Sequence, residues 1–225
     1  MSAINIAIDG PSGAGKSSIS KKLAEILSFI YIDTGALYRA IGIYAIRKGA
    51  NTTSEEEITS LLKEINVTLK HIDGFQRIIL NGEDVSSEIR TPSASMAASN
   101  VSAFSSVREF LLNIQKDIAK ESNVIMDGRD IGTVILPNAN IKIFLTATPE
   151  ERARRRCEEL QIKGHKVDYN TLLKEINERD YNDSNREIAP LKPAKDAIIV
   201  DNTEIDFENS VDTLLKIIRG KLNVL

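Results

Sequence analysis

The apolar positions of this chain fall in short, nearly continuous bursts rather than in alternation. Ile4 to Ile8, Ile30 to Ile32, Val124 to Met126, Ile141 to Leu145 and Ala197 to Val200 are of strand length, and their unbroken apolar character suits strands covered by helices on both faces. Between them apolar residues return every three or four positions, which predicts helices from Lys16 to about Phe29, Ala36 to Arg47, Ser54 to Ile65, Ser106 to Lys120, Pro149 to about Lys163, Tyr169 to about Asn182 and Phe207 to Lys221. Such an alternation predicts an α/β chain built on a mainly parallel sheet. One stretch breaks the rhythm. VTLKHIDGFQRIILNGEDV reads as short antiparallel strands joined at Asp73-Gly74 and Asn81-Gly82, both favoured tight-turn pairs, and marks residues 66–104 as an inserted small subdomain. The sequence holds no internal repeat and no low-complexity tract.

Composition narrows the class. With 225 residues, 42% of them apolar, there is enough chain for one large domain carrying a smaller insertion. The longest apolar runs fall far short of the roughly 20 residues of a membrane span. Met1 is followed almost at once by the strand-like INIAI, so neither a signal peptide nor a membrane anchor is expected. Cys157 is the only cysteine, which excludes an intrachain disulfide and a cysteine-built metal site and fits a cytoplasmic setting. A formal net charge of -3 argues against wholesale nucleic-acid binding, so any basic cluster should serve a small, local anion.

The clearest motif is GPSGAGKS, formed by Gly10, Pro11, Ser12, Gly13, Ala14, Gly15, Lys16 and Ser17 and followed by Ser18. It matches G-x-x-x-x-G-K-[ST] directly after a strand and directly before a helix, the setting in which the pattern means a phosphate-binding loop. Glycines let successive backbone N–H groups turn inward toward phosphate oxygens, and the helix starting near Lys16 adds its positive end. Lys16 is expected to reach the β- and γ-phosphates of ATP and the Ser17 hydroxyl to coordinate Mg²⁺. The chain lacks the D-x-x-G and N-K-x-D segments of GTPase switches. Its strand end VIMDGRD places Gly128 after Asp127, where motor-like ATPases carry an acidic pair. Both features favour a small-molecule kinase over a hydrolytic switch.

Two further segments, DTGALYR at Asp33 to Arg39 and DGRDIG at Asp127 to Gly132, follow predicted parallel strands at their carboxyl ends, where open α/β sheets place ligands. EERARRR carries Arg152, Arg154, Arg155 and Arg156, and RDYNDSNR carries Arg179, Asp183 and Arg186. A charge run is ordinarily a solvated helix face, and Arg154 keeps that reading. Arg152, Arg155 and Arg156 are spaced three and four apart and line one stripe, as do Arg179, Asp183 and Arg186. Only the short loop around Gly164 to Asp168 separates the two helices, so their basic faces could close over bound phosphates like a lid.

Taken in order, GPSGAGKS, DTGALYR, the inserted strands ending in GEDVSSEIR, DGRDIGTVILP, EERARRR and RDYNDSNREIAPL resemble the bacterial-type cytidylate kinases of the nucleoside monophosphate kinase group over essentially the whole chain. Ser18 is a mild departure, standing where many members have Thr or Gly-Thr. The resemblance implies a P-loop kinase fold: a five-stranded parallel core with helices on both faces, a short helical lid and an inserted antiparallel acceptor-binding subdomain. In this chain the segments would be core at 1–65, insert at 66–104, core at 105–148, lid at 149–190 and core at 191–225.

The implied reaction moves the γ-phosphoryl of MgATP to CMP or dCMP. A monophosphate already carries anionic oxygens, so no strong general base is needed, in keeping with His71 and His165 lying outside every motif. The resemblance assigns Arg39 and Arg129 to the acceptor phosphate with Arg186 nearby, and adds Thr34 and Tyr38 to the acceptor set. It brings Arg152, Arg156 and Arg179 onto the transferring group when the lid closes. Ser99, Arg108, Asp127 and Asp130 would read the cytosine, and Asp183 is expected near the sugar hydroxyls. Arg108 and Asp127 also fit plainer roles as a surface helix charge and a strand-end cap. Tyr38 fits equally a contact with the acceptor or an apolar face with Leu37 and Ile41, and Cys157 is read as inert filler. Two alternatives stay open: the same fold acting on UMP or AMP, and a nucleotide-dependent regulatory module. Small-molecule partners and a monomer are expected.

Overall fold

The computed structural model describes residues 3–72, 75–162, 164 and 166–222. His165, Lys163, the Asp73-Gly74 turn and the side chain of His71 lie outside the described residues. Contacts divide the chain into two units, one of residues 1–31 with 122–225 and one of residues 32–121.

Among the described residues the first unit is built on β1 (Asn5–Asp9), β6 (Val124–Gly128), β7 (Ile141–Thr146) and β8 (Ile198–Asp201), and with β2 (Ile30–Asp33) the five-stranded sheet runs in the order β2-β6-β1-β7-β8. β1 is flanked in parallel by β6 and β7, in register Ile6 with Ile125 and Ile6 with Ile141. The expected apolar bursts all become strands of this sheet. Ile6, Ala7 and Ile8 are completely buried, as a strand covered on both sides must be. Ile6 and Ile8 pack with Ile125, Ile143 and Leu145, with Ile19 and Leu23 of α1 (Lys16–Leu27), and with Leu214 and Ile218 of α8 (Phe207–Leu222). The two helices expected to form the lid are α6 (Pro149–Ile162) and α7 (Tyr169–Asn185), and Cys157, Leu160, Leu172 and Val167 pack into a small cluster there. Cys157 is therefore a buried free thiol inside an apolar contact, as expected of filler. α7 runs three residues past its expected end, to Asn185.

The second unit holds α2 (Thr34–Arg47), α3 (Glu55–Leu62), α5 (Ser105–Glu121) and the antiparallel sheet β3 (Val67–Ile72), β4 (Phe75–Leu80) and β5 (Glu83–Asp84). β3 pairs with β4 from Val67 opposite Leu80 onward. The Asn81-Gly82 turn forms as expected, both residues adopting positive φ, 49° and 89°. α2 starts two residues before its predicted Ala36. The Asp33 side chain accepts from the Ala36 N–H and caps the turn, outweighing the poor helix propensity of Gly35.

Among the described residues the sequence pattern missed one α-helix. α4 (Pro92–Val101) stands in the later part of the expected insert, for which no element was predicted. Its segment, PSASMAASNV, lacks a repeat of large apolar residues, because its buried face is made of Ala94, Ala97 and Ala98 with Val101 at the end. The local signal was nevertheless present: Thr91 caps it by accepting from Ala94 N–H, and Pro92 occupies the first turn. Its small face lets α2 approach so closely that a Cβ added at Gly42 would lie 2.7 Å from the Cβ of Ala97.

Candidate active site

The cradle grows directly out of β1. After Asp9 the chain leaves the sheet at Gly10, with φ 149°, where an added Cβ would sit 1.9 Å from the carbonyl oxygen of Leu145. Only glycine fits that turn. Lys16, 5% exposed, donates from Nζ to the Pro11 carbonyl at 2.6 Å, so the lysine lies folded over its own loop. Burial, with repulsion from Arg129 and Arg179, holds its pKa well below the ordinary lysine value, and Asp127 and Asp9 oppose that drift. Ser17 Oγ donates to Asp127 Oδ2 at 2.9 Å, and the Tyr31 hydroxyl donates to Asp127 Oδ1 at 2.9 Å. Asp127 is thus more than a strand-end cap: it is a buried carboxylate aimed at the hydroxyl of the cradle.

Arg129, next along DGRDIG, donates from Nε to Asp183 Oδ2 at 2.9 Å. Burial alone would raise Asp183, but Arg129, Arg179 and Arg186 overcome it and keep this carboxyl below the usual range. Arg179 donates from Nη1 to Ser12 Oγ at 3.1 Å, and its Nε lies 4.0 Å from Asp183. Asp130 pairs with Arg186 at 3.6 Å, both side chains nearly buried. Four expected site residues, Arg129 of DGRDIG, Arg179 and Asp183 of α7 and Ser12 of the cradle, therefore form one continuous chain of contacts.

The arginines of α6 divide four ways. Arg152, 2% exposed, spends its donors on the carbonyls of Ala147 and Ser12, both at 2.9 Å, and on Asp180 at 2.6 Å. It braces the cradle from behind. Arg154 bonds Glu151 and Glu158 on the helix surface, as expected. Arg156 donates to Glu159 at 2.6 Å on its own helix and is not brought to the cradle in this conformation. Arg155 turns instead to the loop after β8, donating to Asn202 Oδ1 at 3.1 Å and to the carbonyls of Asn202 and Ile205 at 2.6 Å and 3.3 Å. Buried Asn202 in turn donates to the Ala14 carbonyl of the cradle at 3.2 Å.

Within the 32–121 unit, Asp33 both caps α2 and pairs with Arg39. A Cβ at Gly35 would approach Arg39 Nη1 to 3.1 Å and Asp33 Oδ1 to 3.2 Å, so glycine leaves room for that pair. Gln76 of β4 clasps the Asp33 backbone, accepting from its N–H at 2.8 Å and donating to its carbonyl at 3.2 Å. Thr34 is buried at the start of α2 and Ser99 is half-buried on α4. Arg108 is buried too, which removes the surface-charge reading. It donates to the Ser102 carbonyl at 3.0 Å and lies 5.7 Å from the centre of the Tyr38 ring. Tyr38 belongs to the apolar core with Leu37 and Ile41 while one face meets this guanidinium.

Asp9, Asp180, Asn202 and Gln76 escaped the sequence reading, and Arg155, expected on the basic stripe facing bound phosphates, is turned to Asn202 instead. Asp180 adjoins Arg179 inside a motif already singled out, and Asp9 adjoins Gly10, so their positions were in view. Arg155, Asn202 and Gln76 act through contacts distant in sequence, which no local spacing reveals.

Asp9 is the least ordinary of these. It is 4% exposed, and its Oδ1 and Oδ2 accept the N–H groups of Ile131 and Gly132, each at 2.8 Å. Burial pushes its pKa up from 3.8 to about 6, with Asp130 adding repulsion, although both N–H groups and Lys16 pull the other way. A difference of that size corresponds to about 3 kcal/mol of stability, retained below the unfolded pKa and lost as pH rises through the folded one.

A five-stranded parallel sheet whose central strand runs through Gly10–Ser17 into α1, with arginines gathered on that loop, defines a P-loop kinase. The family model described as Cytidylate kinase matches residues 6–220. The chain belongs to the cytidylate kinase family. It is 53% identical to the cytidylate kinase of Caldicellulosiruptor saccharolyticus over 217 residues, 96% of each chain, and 52% identical to that of Caldicellulosiruptor bescii over the same share. A solved gluconokinase from Sinorhizobium meliloti 1021 superposes with a TM-score of 0.50 at 16% identity, covering 98% of this chain and 94% of that one, and supports the fold alone.

Proposed function

We propose that this chain is an ATP-dependent cytidylate kinase, transferring the γ-phosphoryl group of MgATP to CMP or dCMP and releasing ADP with CDP or dCDP. The observation that carries the reading is the set of buried or half-buried cations that β1–α1, the segment after β6 and α7 bring near one another. Burial depresses Lys16 most, repulsion from Arg129 and Arg179 adds to it, and a polyphosphate would relieve that repulsion. Family membership narrows the acceptor to cytidine monophosphates.

Phosphoryl transfer asks a protein chiefly for positioning and charge neutralisation. Backbone N–H groups of Gly10 to Gly15 would hold the donor phosphates, with Lys16 swinging from the Pro11 carbonyl to the β- and γ-oxygens. Ser17 and Asp127 offer hard oxygen ligands 2.9 Å apart, a donor set that suits Mg²⁺ shared with substrate phosphates. Those two residues would hold the ion, which when bound offsets charge on the β- and γ-oxygens. Arg39, Arg129 and Arg186 are proposed for the acceptor phosphate, Arg179 for the transferring group, and Asp183 for the sugar. Arg152 and Arg156 would need to exchange their present partners, Asp180 and Glu159, to reach that group as the 149–190 lid closes. Thr34, Tyr38, Ser99, Arg108 and Asp130 are proposed for the nucleoside, with 66–104 as acceptor insert; Asp127, expected among the cytosine readers, is proposed for the ion instead because its two oxygens meet Ser17 and Tyr31. A carboxylate facing the exocyclic amine of cytosine would be left opposite the O4 oxygen of uracil, a mismatch that disfavours UMP. Among the described residues no helix is long and apolar enough to cross a membrane. The reading is of a cytoplasmic monomer acting on small molecules rather than nucleic acid.

A coupled ADP-release assay over a panel of nucleoside monophosphates tests this. Turnover concentrated on CMP and dCMP is the expected result. Preference for UMP or AMP would replace the acceptor, and tight ATP binding without turnover on any monophosphate would replace the kinase with a regulatory module.

A further inference from the structure

DGRDIG reaches its place by an unusual route. After Asp130, whose backbone is neither helical nor extended (φ -147°, ψ 24°), residues Ile131–Ile135 form one wide helical turn. Ile135 N–H donates to the Asp130 carbonyl at 3.2 Å and Leu136 N–H to the Ile131 carbonyl at 2.7 Å, each five residues back. Wide turns of this kind are rare and recur at functional sites. Like every helical start, this one leaves its first N–H groups without partners inside the turn. Here the Ile131 and Gly132 N–H groups are met by Asp9, more than a hundred residues earlier, at 2.8 Å each. Close fit enforces the contact: an added Cβ at Gly132 would lie 3.1 Å from Lys142 Cδ and 3.4 Å from Asp9 Oδ2.

We infer that Asp9 is a positioning residue for the acceptor: gripping the two N–H groups that follow Asp130, it fixes the segment from which Arg129 and Asp130 reach their partners. Three observations converge on this. Asp9 is the last residue of β1 and immediately precedes the cradle, so a single residue ties the donor loop to the DGRDIG segment. The side chains flanking the gripped turn carry the pairs Arg129–Asp183 and Asp130–Arg186, whose geometry depends on where the turn begins. Finally, a carboxylate is a poor choice for stability here. Burial disfavours its charge and raises its pKa, yet the ionised carboxylate gives each N–H group an acceptor oxygen of its own. The groups that act on its charge are Asp130, which opposes it, and Lys16, which favours it.

The inference rests on the kinase reading, and one comparison separates the two. Wild-type enzyme on the monophosphate panel reads the function. Asp9→Asn against wild type, on whichever monophosphate the wild type accepts, reads the role of Asp9. Asn keeps the shape, but it accepts one N–H and turns a donor toward the other. The expected result is a fall in kcat/KM for the acceptor of roughly 10- to 100-fold, with the Kd for ATP within about twofold of wild type, because displacement by a fraction of an ångström suffices to misalign the transfer. Thermal stability at pH 7.5 should be equal to wild type or higher, since a buried charge has been removed. A merely structural Asp9 would show the opposite: lowered stability, with ATP and acceptor affected in parallel. Gly132→Ala, which presses on the same turn from its other side, should reproduce the acceptor-side loss with ATP binding kept. Wild-type acceptor kinetics in Asp9→Asn, or ATP affinity falling in step with acceptor kinetics in both variants, would overturn the inference.

Discussion

In the unit of residues 1–31 and 122–225, Asp9, Lys16, Asp127, Asp130, Arg152 and Asp183 are all buried around the ends of β1 and β6. The unit of residues 32–121 instead buries one apolar cluster extending from Ala36 to Leu111, and among its described residues Arg108 is the one buried charged side chain. Buried charges are expensive and tolerate no missing partner, whereas an apolar cluster is held by area and fit. The first unit has therefore given up stability for a fixed electrostatic arrangement, and the second has kept an ordinary core. Substitutions of the two buried sets should sort accordingly, rate being lost at the buried charges of the first unit and stability at the apolar cluster of the second. Lys16→Ala carries the largest expected effect. Removing the cation that would meet the β- and γ-phosphates should lower kcat by about a thousandfold or more. The fold should survive, since the lysine is itself disfavoured where it lies. Near-normal turnover by the variant in the ADP-release assay would remove Lys16 from the chemistry.

The converse case is Ile58 of α3, fully buried in the cluster of the 32–121 unit and outside every proposed binding set. Ile58→Ala should destabilise the protein by about 2–5 kcal/mol in denaturant unfolding, from lost transfer energy and the cavity left behind. Turnover per folded molecule should stay within about twofold of wild type. If the variant kept its stability, or lost turnover while folded, the contrast between the units would fail.

The same contrast governs what could be read from sequence. The parallel strands were legible because a strand buried on both faces must be apolar throughout. The cradle was legible because its glycines, Lys16 and Ser17 act through consecutive backbone positions. α4 was not, since its contact with α2 depends on small residues such as Gly42 and Ala97, whose signal is an absence of bulk. In the basic helices spacing gave the shared face and withheld the partner. Arg152, Arg155 and Arg156 lie on one stripe, yet one braces Ser12, one holds the loop at Asn202 and one pairs with Glu159. A guanidinium's partner is chosen by tertiary contacts that residue periodicity does not encode. Asp9 was passed over for the same reason: its two N–H partners come from a turn far along the chain.

Arg154 and Arg155, adjacent on α6, carry that lesson into the smallest expected effect. Among the described residues exposed Arg154 pairs with Glu151 and Glu158 of its own helix, and such pairs contribute little because water and salt compete for both charges. Arg154→Ala should leave kcat and both KM values within about twofold of wild type. Arg155 holds the Asn202 side chain and carbonyl, and Asn202 holds the Ala14 carbonyl, so its contacts end inside the cradle. Arg155→Ala should therefore raise the KM for ATP by about three- to tenfold with the acceptor KM little changed, the scale expected when one or two hydrogen bonds to a supporting loop are lost. Measuring both variants under the same salt conditions makes the pair its own control. If both shifted ATP affinity equally, helix charge rather than the Asn202 contact would be responsible, and the chain of support from α6 to the cradle would be broken at its first link.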